Sequence, residues 1–135
     1  MRDIKFRGIC IDDSGLRGEF VYGYYFINSE NKSIISSALF YEVESETVGQ
    51  FTGMLTNDSK PVYEGDIIRV PHSEFNAEIV GVVEFERGAF FLRSLLSGTT
   101  SDLGWVLRKR MPREPFAKII GNIHENPELV RYGNQ

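Results

Sequence analysis

The chain reads as a mainly β protein, and three observations predict this class. Ten Phe and six Tyr make it rich in residues that favour strands. Its apolar segments are short and are separated by Gly, Asn, Asp, Ser and Pro, the residues of turns. No segment carries a sustained period of 3.6 residues.

A length of 135 residues suits one domain. A chain of this size buries about two-thirds of the surface its unfolded form exposes, so it needs no covalent staple. Hydrophobic residues make up 41% and charged residues 25%, as in ordinary globular domains. The net charge of −4 denies the chain as a whole the basic footprint of a non-specific nucleic-acid binder, although a local basic patch stays open. One cysteine, Cys10, excludes an intrachain disulfide and suits a reducing cytosol. No apolar run approaches the ~20 residues of a membrane span, and the first residues, MRDIKFRG, lack the apolar core of a signal peptide. The expected location is the cytoplasm. The acceptor-like tripeptides at Asn31 and Asn57 are then chance matches.

Ile4 to Ile11 alternates around a glycine and reads as the first strand. Asp12-Asp13-Ser14-Gly15 supplies turn chemistry, and Glu19 to Ile27 (EFVYGYYFI), dense in aromatics, is the second strand. Gly23 inside it points to a bulge or a close backbone approach. Asn28 to Ser33 is a polar turn, and Ile34 to Tyr41 reads as a third strand. Glu46 to Phe51 is a strand or tight bend, with Val48 and Phe51 inward, and Thr56 to Pro61 is a turn. An acidic corner, Tyr63-Glu64-Gly65-Asp66, then feeds a strand that ends at Val70, before Pro71. Glu78 to Phe85 is apolar on both faces, as in a central strand. Glu86-Arg87-Gly88 turns the chain into Ala89 to Leu96. Leu103 to Leu107 is expected as a fourth strand of this half, and Lys118 to Ile123 as the closing one. Asn126 as cap, Pro127 at the first helical position and Gly133 at the end mark one short helical turn.

Five strands between Asp66 and Ile123 suit a small SH3-like barrel that closes back onto the strand leaving the acidic corner. The preceding residues are too few for a core of their own and are expected to pack on the barrel as a second β lobe. The expected organisation is one unit, 1–135, with an N-terminal lobe over 1–46 and the central motif and barrel over 47–135.

Several motifs, in order, resemble the YopX family of phage and prophage proteins. They are Lys5-Phe6-Arg7, Val21-Tyr22-Gly23, Glu46-Thr47-Val48-Gly49-Gln50-Phe51-Thr52-Gly53 and Val62-Tyr63-Glu64-Gly65-Asp66-Ile67. Gly81 to Phe85, Gly88-Ala89-Phe90 and Ile120 to Leu129 (IGNIHENPEL) complete the set, which spans nearly the whole chain. Two places depart from the family pattern. Gly8-Ile9-Cys10 follow Arg7 where a small residue and an aromatic are usual, and Asn57 to Pro61 lacks the usual glycine. The resemblance implies a mostly β protein carried by bacterial phages or prophages, often oligomeric, and brings no established chemistry.

Glu64, Asp66, Glu84, Glu86, His124 and Glu125 are the groups an acid–base or metal site would draw on, but no ligand spacing such as H-x-x-x-H occurs. Asp66 fits better as a turn residue bonding local backbone. Cys10 lies between Ile9 and Ile11, where a thiol is inert packing. Neither His72 nor His124 comes with a nucleophile motif, and no glycine loop is built to cradle phosphate. No catalysis, metal or cofactor is expected.

Arg108, Lys109, Arg110 and Arg113, expected on a projecting loop beside Trp105 and Phe116, are the candidate contact for a nucleic acid or partner, since stacking rings and cations together make a single-strand groove. A solvated loop or an ion-paired oligomer contact is the plainer reading of the same charges. Trp105, Tyr24, Tyr25, Phe75 and Phe91 exceed the needs of a modest core and are candidates for a protein interface. The expected function is that of a non-enzymatic binding or assembly module, homo-oligomeric. A nucleic-acid-binding accessory factor using 108–113 is second, and a metal-dependent hydrolase on the acidic corner is third.

Overall fold

Alternation of inward and outward side chains builds the first strands. In the computed structural model, which describes residues 4–71, 78–108 and 117–133, β1 (Phe6–Ile9) and β2 (Phe20–Ile27) pair antiparallel, with Arg7 opposite Tyr22 and Ile9 opposite Phe20. The chain falls into two compact units, Met1–Gly53 and Met54–Gln135.

In the first unit, β2 pairs with β3 (Ser33–Ser36) and β3 with β4 (Phe40–Glu42). The single strand expected over Ile34 to Tyr41 is therefore two. The serine pair breaks the apolar alternation, and a tight turn forms there, the Ser37 N–H donating to the Leu39 carbonyl at 3.0 Å. A single bridge between Cys10 and Val43 then ties the end of β4 back to the end of β1. It is flanked by bonds from Ile11 N–H to the Glu42 carbonyl and from Glu44 N–H to the Ile9 carbonyl, both 2.9 Å. Cys10, Val21, Ile35 and Val43 form the buried cluster inside, with Phe6, Leu16, Tyr25, Tyr41 and Val48 packed against it. Cys10 is fully buried, as its apolar neighbours suggest. Gly23 is required by a close approach: a Cβ there would stand 2.1 Å from the Ser36 carbonyl oxygen.

A single 3-10 turn, Ser45–Thr47, leads into β5 (Gly49–Leu55), which pairs with β1 and runs on past Gly53 into the second unit. There β6 (Pro61–Tyr63) is its neighbour. The main sheet of the second unit is a meander of β7 (Asp66–Val70), β8 (Ile79–Glu86), β9 (Ala89–Ser94) and β10 (Thr100–Asp102). The last strand, β11 (Lys118–Asn122), returns to pair with β7, giving the order β10-β9-β8-β7-β11. The closing strand thus meets the strand that leaves the acidic corner, as the sequence predicts. The sheet itself is open rather than a closed barrel, with β10 and β11 at its edges.

Leu103 to Leu107, expected as a strand, is instead helix α1 (Leu103–Arg108). Leu103, Val106 and Leu107 fall on one side at helical spacing and join Val62, Ile68, Val83, Phe90 and Leu92 in the main core. Fully burying one Leu, Ile or Phe contributes about 1.5–3 kcal/mol, so this packing outweighs the short length of the helix. The predicted C-terminal helical turn is α2 (Pro127–Gly133).

Candidate functional site

The acidic corner folds onto its own backbone. Gly65 takes a φ of 93°, which turns the chain tightly enough for the Asp66 carboxylate to accept the Tyr63 N–H at 2.7 Å. Asp66 is 2% exposed. The Gly65 N–H donates to the Val83 carbonyl at 2.8 Å, and its carbonyl accepts the Ile123 N–H at 3.0 Å. Directly opposite Asp66 in the ladder stands Asn122. The Asn122 Oδ1 accepts the N–H groups of His124 and Glu125, its Nδ2 donates to Glu125 Oε1 at 2.7 Å, and its own N–H donates to Asn126 Oδ1. The Tyr-Glu-Gly-Asp and Asn-Ile-His-Glu-Asn-Pro motifs therefore build one piece of structure. Glu84 is bound to Arg93 at 2.7 Å across β8 and β9. Among the described residues no group of three His, Cys, Asp or Glu is placed to hold a metal ion. Asp66 and Asn122 each bond the backbone of the turn beside them.

The basic segment begins where α1 ends. The Asp102 carboxylate caps the helix by accepting the Trp105 N–H at 2.8 Å, and Trp105 is about half exposed. Arg108 is the last residue of α1. Lys109, Arg110, Arg113 and Phe116 lie outside the described residues, as do His72 and Phe75.

The third group is on β2. Because side chains alternate along a strand, Phe20, Tyr22, Tyr24 and Phe26 share the face opposite the buried cluster. Tyr24 is 72% exposed, and Phe40, its counterpart two strands away across Ser36, is 70% exposed. Tyr22 and Phe26 are each about two-fifths exposed, and Phe26 meets Phe40 edge-on at 6.1 Å. Cations stand on the same side: the Lys5 ammonium is 5.6 Å from the Tyr22 ring centre, and the Arg7 guanidinium is 4.3 Å from that of Phe20. Of the expected interface aromatics, Tyr24 is in this group. Tyr25 points the other way, into the core, with its hydroxyl 3.2 Å from Ser33 Oγ, and Phe91 is half-buried on β9. Tyr22, Phe26 and Phe40 were not among the candidates. Four aromatics at alternate positions of FVYGYYFI carry the signal, since the outer face of a half-buried strand is ordinarily polar.

Beside this face, Asp12 holds the outer edge of β4. Its Oδ2 accepts the Glu42 N–H at 2.8 Å, and its Oδ1 accepts from Ser14 N–H and the Cys10 thiol. These bonds, Ser14's side chain foremost, pull its carboxyl down to about 2 against the opposing effect of burial. Asp58 is lowered likewise, chiefly by the Thr56 hydroxyl within the β5–β6 turn.

The fold of two antiparallel sheets, with the two motifs of this chain joined in one corner, has similar counterparts among known proteins. The family model described as YopX protein matches residues 11–131, and the chain belongs to this YopX family. Protein EF1440 from Enterococcus faecalis is similar in structure, with a TM-score of 0.58 and 20% identity over 96% of this chain and 99% of that one. Protein yopX from Bacillus subtilis is similar too, with a TM-score of 0.56 and 17% identity over 96% and 97%. No curated protein matches the chain. Among the described residues, no helix is long and apolar enough to cross a membrane.

Proposed function

We propose that this YopX-family chain acts by binding, as a homo-oligomeric module carried by bacterial phages or prophages and working in the host cytoplasm. The observation that carries the reading is the outward aromatic face of β2 with Phe40. Contiguous exposed apolar surface of this kind marks interaction sites rather than ordinary protein surface. Asp66, whose carboxylate is committed to the Tyr63 N–H, leaves little for a hydrolase at the acidic corner. Origin from a phage or prophage rests on the resemblance of its motifs, and a bacterial setting fits the sources of the two similar structures.

The test is an affinity pull-down from host lysate, with and without nuclease, using the full chain and its Tyr24→Ala form. A companion retained by the first and lost by the second supports the reading. Identical capture by both forms overturns it. Light scattering of the pure chain checks the oligomer. A nucleic-acid accessory role through Arg108 to Arg113 is the second reading, favoured by the half-exposed Trp105 on the helix that runs into that segment. Steep loss of affinity with salt and with Arg110→Glu is its signature.

A further inference from the structure

We propose that the outward face of β2 is a stacking platform for single-stranded nucleic acid. The proposal rests on the reading that the protein binds through this face, and it assigns the occupant to the rings of β2 and β4 rather than to the basic segment. Side chains two residues apart on a strand stand roughly 6.6–6.8 Å apart. Tyr22, Tyr24 and Phe26 therefore present a row of rings at a regular interval, with Phe40 flanking the row. Rings spaced along a line, open on the solvent side, are what successive bases of an extended strand stack on without regard to sequence.

Charge supports this occupant. The strands β2, β3 and β4 carry a single carboxylate, Glu42, and Lys32 stands 3.8 Å from it and 3.5 Å from Glu30. Lys5, beside Tyr22, supplies the cation a phosphate needs. Addition of a peptide strand at the β4 edge is disfavoured, because Glu42 already donates its N–H to Asp12 and accepts from Ile11.

The experiment is fluorescence anisotropy of a labelled thymidylate dodecamer titrated with the full chain at low and high salt. Binding is expected, with a shallow salt dependence of about 0.7 in log–log slope per phosphate neutralised. Tyr24→Ala and Phe40→Ala should each weaken it roughly 5- to 150-fold, the loss of one stacked base. Tyr24→Trp should preserve it, and Arg110→Glu should leave it unchanged. Circular dichroism confirms that each variant is folded. No binding by the parent chain at low salt overturns the proposal, as does binding that survives both alanine variants or is lost only with Arg110→Glu. If a lysate protein is lost with Tyr24→Ala while the oligonucleotide is ignored, the binding reading stands and the nucleic-acid occupant falls.

Discussion

Asp66 and Asn122 face each other in the β7–β11 ladder, and each spends its side chain on the turn beside it. Asp66 satisfies the backbone of the turn that precedes β7. Asn122 satisfies the backbone of the turn that follows β11. Two motifs nearly sixty residues apart in sequence are thereby held at one point of the second unit.

Removing the Asp66 carboxylate should therefore cost stability. Asp66→Ala leaves the Tyr63 N–H buried without its acceptor, a loss of about 1–3 kcal/mol. Asp66→Asn keeps one acceptor oxygen and should lose less. Urea unfolding reads both, as a lower midpoint at unchanged slope. An Asp66→Ala protein as stable as the parent would show that the bond contributes nothing.

Gly23→Ala should be among the most damaging single substitutions in the first unit. The added Cβ meets the Ser36 carbonyl at 2.1 Å and its carbon at 2.7 Å, both backbone atoms of the paired strand. No rotamer relieves this, so β2 and β3 must part. Overpacking of a tight site costs typically 1–3 kcal/mol, and a backbone clash belongs at or above the top of that range. The thermal midpoint should fall, and amide exchange should quicken first at Tyr24, Tyr25 and Phe26.

The strands legible in the sequence are those dense in β-branched and aromatic residues, β2, β7, β8 and β9 foremost. The turn role of Asp66 was legible as well, because Gly65-Asp66 is turn chemistry wherever it occurs. What escaped were elements fixed by tertiary contact. The Ser36-Ser37 pair marks a break in the alternation, but nothing local shows that the chain turns there and returns as β4 to Cys10. Leu103, Val106 and Leu107 have helical spacing, but six residues are too few for a period to stand out. The outward ring row was visible in FVYGYYFI, yet which face is covered depends on the Cys10–Val43 bridge, which joins residues far apart in sequence. The candidate cations Lys109, Arg110 and Arg113 lie outside the described residues.

Acid should loosen the first unit through Asp12. Its carboxyl titrates at about 2 in the fold against 3.8 for the free group, because the ionised form accepts the Ser14, Glu42 and Cys10 hydrogen bonds. A group lowered by folding stabilises the fold fully above its unfolded value. That contribution is present above about pH 4 and is lost as the pH falls toward 2. Asp12→Asn should therefore flatten the fall of the urea midpoint across this window. An unchanged slope in the variant would assign the acid sensitivity elsewhere.

Helix α1 separates local from tertiary stabilisation. A helix of six residues is far below the length that stands alone in water, so its packing should dominate its cap. Asp102→Ala removes the acceptor for the Trp105 N–H and should cost about 1 kcal/mol. Leu103→Ala empties a fully buried position in the main core and should cost about 2–5 kcal/mol. The single tryptophan, Trp105, reports on the same helix by its fluorescence. The expected order is Leu103→Ala well below Asp102→Ala in urea midpoint, with both below the parent. The reverse order would mean that the cap, rather than the apolar face of the helix, fixes α1 on the sheet.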